Sequence, residues 1–292
     1  MGNKDTSFSG KYLIHCRGTL LDLSMHRVMG IVNITPDSFY EGSRTMQEEA
    51  VMRQVKRLVA EGTDMLDVGG YSSRPGADHI SQQQELSRLL PALERIRRDY
   101  PDLILSVDTF RPEVARIVVE DYDVDIINDI SAGEMGPSMF ETIARLNVPY
   151  IMMHMKGTPQ NMKEKAHYQQ MMKEITRYFS ARVENLRQLG VKDIILDPGF
   201  GFGKNIEHNY QLLNRLDELK IFGLPLMVGL SRKSMIYKVL DISPDQALNG
   251  TTVLNTLALE RGASILRVHD VKQAREIITL KDKMERSAGS FG

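Results

Sequence analysis

The sequence predicts an α/β fold, a single (β/α)8 TIM barrel with a short N-terminal β-hairpin. Three observations predict it. Eight short apolar runs alternate along the chain with segments of helical period. Most of these runs end in a polar side chain, as parallel strands do when their carboxyl ends build one site. No interior stretch rich in Pro, Ser or Gly interrupts the alternation, so the 292 residues form one domain. A doubly wound open sheet is the competing arrangement. Closure is favoured because it removes the edges that eight strands would otherwise expose.

Residues 1–10 read as a flexible tail, and residues 12–16 and 19–23 as a hairpin across Arg17-Gly18. The barrel domain spans 11–286, leaving 287–292 as a second tail. Strands are expected at 28–32, 64–68, 103–107, 125–128, 149–153, 192–196, 224–228 and 264–268. Helices are expected at 46–61, 82–98, 112–121, 137–146, 163–189, 206–220, 245–261 and 271–286. In the fifth of these, Met171, Ile175, Tyr178, Phe179, Val183, Leu186 and Leu189 form one apolar stripe, the mark of ordinary core packing.

Charge excludes some partners. Lys and Arg number 37 against 38 for Asp and Glu, so no overall field gathers nucleic acid or an anionic membrane, and any anion must be bound locally. Cys16 is the single cysteine, which leaves no internal disulfide or multi-cysteine metal site and reads as a small buried apolar residue. No apolar run approaches the roughly 20 residues that cross a bilayer, and the N-terminus lacks an apolar signal region, so a cytoplasmic location is expected. Gly2 begins a loose match to the myristoylation pattern, read here as chance.

The chemistry lies at the strand ends. Asn33 opens a first loop through Thr35, Pro36, Asp37, Ser38 and Phe39, and Gly70 opens a second through Ser73, Arg74, Pro75 and Gly76. Both are long and polar, like loops that cover a substrate, although Asp37 and Ser38 also suit plain turns. Asp108 and Asp197 are expected to face the barrel mouth with Asn128 between them. A carboxylate and an amide together read the donor–acceptor edge of a guanine-like or pterin-like ring, and a second carboxylate can stabilise positive charge. Either Asp alone could instead be a helix cap or loop brace.

The run from Gly199 to Lys204 is not a Walker loop, since Pro198 and Asn205 stand where Gly and Ser or Thr are needed. Its glycines more simply let the backbone turn and carry an aromatic ring to the site edge. Ser231-Arg232-Lys233-Ser234 and Arg267-Val268-His269-Asp270 follow the last two strands, where this fold binds phosphate. Lys233 is also a candidate Schiff-base nucleophile, Asp270 a candidate helix cap, and His154 with His269 too few for zinc.

Together these segments resemble the dihydropteroate synthases of folate biosynthesis, over about residues 11–286. The carrying motifs are Met29 to Phe39, Ser73 to Gly76, Ser106 to Thr109, Asn128 to Ser131, Asp197 to Lys204, Ser231 to Ser234 and Arg267 to Asp270. The resemblance implies condensation of 6-hydroxymethyl-7,8-dihydropterin diphosphate with p-aminobenzoate, giving 7,8-dihydropteroate and diphosphate. It implies a pterin pocket of Asp108, Asn128, Met153, Asp197 and Lys233, and a diphosphate site of Asn33, Arg267 and His269. Asn33 would also meet Mg²⁺. Phe39, Ser73, Arg74, Pro75, Phe202 and Ser234 would form the p-aminobenzoate subsite. Asp108, Lys233, Arg267 and His269 would carry the chemistry, a dissociative substitution without a covalent intermediate.

The resemblance further implies a homodimer and a sulfonamide target. Ser73 stands where Thr is usual, one methyl short beside the aminobenzoate ring; Tyr71 stands where Glu is usual, Tyr40-Glu41 replaces the familiar Ser or Asp, and Tyr237 replaces Gly. The alternatives are a methyltetrahydrofolate:corrinoid methyltransferase barrel, which binds no diphosphate, and an inactive folate-binding barrel.

Overall fold

The structure is a computed structural model and describes residues 12–34, 44–73 and 79–288. Strands β1 (Leu13–Cys16) and β2 (Thr19–Asp22) pair antiparallel. Arg17 and Gly18 both take positive φ, 42° and 76°, as a two-residue hairpin turn of matching twist requires. The hairpin buries Ile14, Cys16 and Leu23 against Met29, Met65, Ile126, Ile151, Ile195, Met227 and Ile265, and so plugs the floor of the barrel. Burial pushes the Cys16 thiol up to about 12, in keeping with a packing role.

Eight parallel strands follow: β3 (Arg27–Asn33), β4 (Met65–Gly69), β5 (Ile104–Asp108), β6 (Ile126–Asp129), β7 (Tyr150–Met153), β8 (Ile194–Asp197), β9 (Met227–Val228) and β10 (Ile265–Val268). Their order is β8-β7-β6-β5-β4-β3-β10-β9, and a parallel bridge between Leu196 and Leu226 spans the remaining seam. The sheet is thus an almost closed barrel.

Strand alternation explains what each face carries. Val28, Val32, Leu66, Val68, Leu105, Val107, Ile127 and Leu196 point outward into the main core under the helices. The alternate positions point inward. Apolar at the floor, they turn polar toward the mouth: Met65 gives way to Asp67, Ile104 to Ser106 and Asp108, Ile126 to Asn128, Ile195 to Asp197, and Ile265 to Arg267.

The helices are α1 (Arg44–Ala60), α2 (Gln82–Asp99), α3 (Pro112–Tyr122), α4 (Met139–Leu146), α5 (Met171–Gln188), α6 (Ile206–Asn214), α7 (Ser234–Tyr237), α8 (Leu248–Glu260) and α9 (Val271–Ala288). Helix α9 runs two residues past the expected end, and among the described residues no helix is long and apolar enough to cross a membrane.

Three local expectations are corrected. The fifth helix begins at Met171 rather than 163, because the Glu174 carboxylate accepts from the N–H groups of Gln169 and Gln170 and caps it there. The sixth breaks after Asn214 into a 3-10 turn, Leu216–Phe222, which sets Leu216 and Leu219 in line on the core. The seventh strand shrinks to two residues because Pro225 has no N–H to pair. Its carbonyl still accepts from Leu196 N at 3.0 Å.

Candidate active site

Asp67 is a charge buried inside the barrel. It is 0% exposed, and its oxygens accept from Ser106 Oγ at 2.6 Å, Asn128 Nδ2 at 2.9 Å and Arg267 Nε at 2.6 Å. An isolated buried carboxylate would be untenable; three donors make this one stable. The Arg267 guanidinium also reaches Asp108 Oδ2 at 3.2 Å, so one cation holds two carboxylates apart. Burial first, then the Asp67 charge, pushes the Asp108 carboxyl up to about 8, against the pull of Arg267.

Asp197 ends β8 and is buried, with Oδ1 accepting from Gly199 N at 2.8 Å. Burial raises its carboxyl above the usual range, with the Lys233 charge opposing. The turn that follows needs glycine: Gly199 has φ +70°, and a Cβ there would lie 2.0 Å from the His154 carbonyl. Lys233 bonds the Phe200 carbonyl and lies 4.7 Å from the centre of the Phe202 ring. Burial pushes Lys233 down to about 8, with Asp197 opposing.

Asp108, Asn128, Asp197 and Lys233, the residues expected at the pterin, therefore come together with Arg267 at the carboxyl ends of the strands. Met153 is buried beside them in an apolar cluster with Tyr71, Phe110 and Met155, against which Phe202 packs. Arg267, expected at the diphosphate, is bonded here to Asp67 and Asp108. His269 lies one inward position further along, its Nδ1 3.0 Å from Ser231 Oγ. Arg232 makes a two-pronged pair with Asp270 at 2.8 and 2.9 Å, tying the loop after β9 to the loop after β10.

Ser73 and Phe202 are partly buried, and Ser234 begins α7. Phe39, Arg74 and Pro75 lie outside the described residues, as do Asp37, Ser38, Gly76 and the first tail. Tyr71 is buried, its hydroxyl 3.3 Å from His79 Nδ1 and accepting from Gln160 Nε2 at 3.1 Å. His154 faces away from the mouth, its ring against Tyr178 and Phe179 of α5.

Asn33 is the candidate for a metal. It ends β3, and its side chain makes no hydrogen bond among the described residues. Its amide oxygen is a neutral hard ligand of the kind Mg²⁺ takes. A second grouping of metal-ligand type, His26, Asp282 and Glu285, lies at the opposite end of the barrel, where Lys281 already pairs with Glu285.

Asp67 and Ser106 are the residues that strand-end reading misses. The available signal was a carboxylate inside the run Met65 to Gly69, at the inward parity of β4, where only a paired charge is tolerable. Lys204, which closes the Asp197 to Lys204 motif without an assigned role, is buried with its amino nitrogen 2.9 Å from His154 Nδ1.

The chain is similar to known proteins of one family. A family model for pterin binding enzymes matches residues 29–269. Dihydropteroate synthase of Escherichia coli is 42% identical over 266 residues, covering 90% of this chain and 93% of that protein. The Yersinia pestis dihydropteroate synthase in complex with a sulfonamide drug superposes with a TM-score of 0.87 at 39% identity, covering 94% of this chain and 99% of that one. The Xanthomonas albilineans dihydropteroate synthase with 4-aminobenzoic acid gives 0.87 at 38% identity, with the same coverage.

Proposed function

We infer the division of labour in this site from one premise: the chain belongs to the pterin-binding enzyme family. It is a dihydropteroate synthase, a transferase that condenses 6-hydroxymethyl-7,8-dihydropterin diphosphate with p-aminobenzoate, releasing diphosphate and 7,8-dihydropteroate. The observation that carries the residue roles is the set Asp108, Asn128, Asp197, Lys233 and Arg267 at the carboxyl ends of the strands.

Asp197 and Asn128 read the polar edge of the pterin, the carboxylate accepting from adjacent ring N–H groups and the amide completing the pattern. Met153 packs against the ring. Breaking the C–O bond leaves positive charge on the pterin and negative charge on the diphosphate, and the site must favour both. Asp108 faces the cation. Arg267 and His269 face the leaving group, and such fixed charges contribute several kcal/mol to a transition state.

A Mg²⁺ ion held at the Asn33 amide oxygen would neutralise charge on the diphosphate. The weak aniline nucleophile then needs mainly positioning. Ser73, Phe202 and Ser234 supply it, together with Phe39, Arg74 and Pro75. Lys233 acts by charge and contact, not as a nucleophile. A sulfonamide, shaped like the aminobenzoate, competes for the same subsite.

The enzyme works as a homodimer in this reading. Val253 and Leu257 on α8 and Leu280 and Met284 on α9 stand about half exposed or more, and α8 and α9 pack side by side. Such an apolar face suits a second copy.

The test is diphosphate release with Mg²⁺ and the dihydropterin diphosphate, with and without p-aminobenzoate, while dihydropteroate is followed by chromatography. Product that requires both substrates is the expected result. Pterin binding without product would overturn the assignment.

A further inference from the structure

Lys204 is 7% exposed, and the site described above does not use it. Its ammonium lies 3.0 Å from the Gly199 carbonyl, 3.1 Å from that of Phe202, 3.3 Å from that of His154 and 2.9 Å from His154 Nδ1. Three N–H donors thus meet four acceptors, which offsets part of the cost of burying this group; burial still pushes Lys204 down to about 7, with the Asp197 charge opposing. Burial first, and then the Lys204 charge, keep His154 well below its ordinary value, so the ring is neutral and Nδ1 accepts.

The loop gathered in this way presents its other face to the site. Gly199 N donates to Asp197, the Phe200 carbonyl seats Lys233, and the Phe202 ring lies under the same ammonium. Asn209 braces the loop from α6, accepting from Gly201 N at 2.7 Å. Asp197 has a second anchor, because its carbonyl accepts from His154 N in the β7–β8 pairing. Phe202 depends on how this loop is held, by Lys204 within it and from outside by Asn209 and by the Tyr168 hydroxyl, which donates to the Gly203 carbonyl at 2.9 Å.

We propose that Lys204 is a positioning residue for the aminobenzoate half of the reaction: its buried amino group draws the Gly199 and Phe202 carbonyls inward and thereby sets the Phe202 ring. The proposal rests on the synthase reading. It predicts a selective defect, because the pterin contacts of Asp108 and Asn128 stand on strands that Lys204 does not touch.

Lys204→Met keeps most of the stem and removes the donors. Its p-aminobenzoate KM should rise about tenfold while kcat and the pterin KM stay within about threefold, the pattern of lost binding in one subsite. An unchanged aminobenzoate KM would overturn the proposal, and so would a proportional fall in every parameter with a lowered Tm. If that variant fails to fold, Lys204→Gln, which keeps an N–H donor on a shorter arm, must show the same selective rise.

A second readout needs no turnover. The chain has no tryptophan, so Phe202→Trp gives a single reporter on the loop. Adding Lys204→Met should shift its emission to the red and increase acrylamide quenching; unchanged emission counts against the clip even if the wild-type protein made no dihydropteroate.

Discussion

Arg267 and Asp67 form an ion pair of 2.6 Å inside the barrel, joining β10 to β4 across the intervening β3. The same guanidinium reaches Asp108, so a structural charge pair and the residue assigned to the pterin cation share one partner. Asp108 is consequently held in place from beneath. A substrate charge at the mouth is met by groups whose positions are already fixed, which is the basis of electrostatic preorganisation.

Removing Asp67 should therefore damage stability and catalysis together. Asp67→Ala strips acceptors from Ser106, Asn128 and Arg267 at once, and breaking a buried pair in this way typically costs about 3–5 kcal/mol. Urea unfolding should show a loss of that order, with kcat/KM for the pterin diphosphate falling at least as steeply. A loss under about 1 kcal/mol would mean that the pair contributes little to stability.

Asp197→Ala should abolish measurable pterin binding. Each buried hydrogen bond left unmade costs about 1–3 kcal/mol, and a carboxylate reading two ring N–H groups loses two together. Calorimetric affinity retained within a few fold would remove Asp197 from the pocket.

Arg267→Ala should weaken both free hydroxymethylpterin and its diphosphate ester, because Asp67 and Asp108 lose their shared cation. The ester should lose more. Equal losses for the two ligands, compared by calorimetry, would confine Arg267 to bracing carboxylates.

How much of this was legible follows from where each charge sits. Asp108, Asn128 and Asp197 end apolar runs, and a polar side chain at the inward-facing end of an apolar strand is where a functional explanation is needed. Asp67 sits within its run, so its signal was a violation of apolar patterning, visible only once the inward parity of β4 is known. The fifth-helix start depended on Glu174 reaching back to cap two N–H groups, a contact that periodicity does not encode. Lys204 was legible as a lysine after glycines and illegible as a clip, because its acceptors include His154, fifty positions earlier. The barrel followed from alternation, although Pro225 shortened one strand beyond what apolar content suggested.

Activity should depend on pH through Asp108 and Lys233. Asp108 is protonated below about 8 in the free enzyme and ionises above it, so kcat/KM for the pterin diphosphate should rise from pH 6 toward 8. Lys233, lowered to about 8, loses its charge above that and should turn the profile down. Asp108→Asn should abolish the rising limb along with most of the activity. A flat wild-type profile across this window would contradict both assignments.

The proposed dimer face can be tested without touching the mouth. Leu257→Glu combined with Leu280→Glu places charge on α8 and α9 and should convert a dimer to a monomer in light scattering. A wild-type monomer, or a variant that remains dimeric, would remove this face from consideration.

The central claim is that the pterin C–O bond breaks before the aniline attacks, in a pocket built to hold the cation. Positional isotope exchange tests it most directly: substrate carrying ¹⁸O in the bridge between C and P is incubated with enzyme and Mg²⁺ but no p-aminobenzoate, and recovered substrate is examined by ³¹P NMR. The account predicts migration of ¹⁸O from the bridge to non-bridging positions, as diphosphate leaves, rotates and recombines. Label retained in the bridge while added p-aminobenzoate still gives rapid turnover would contradict it and require the aniline to take part in bond breaking.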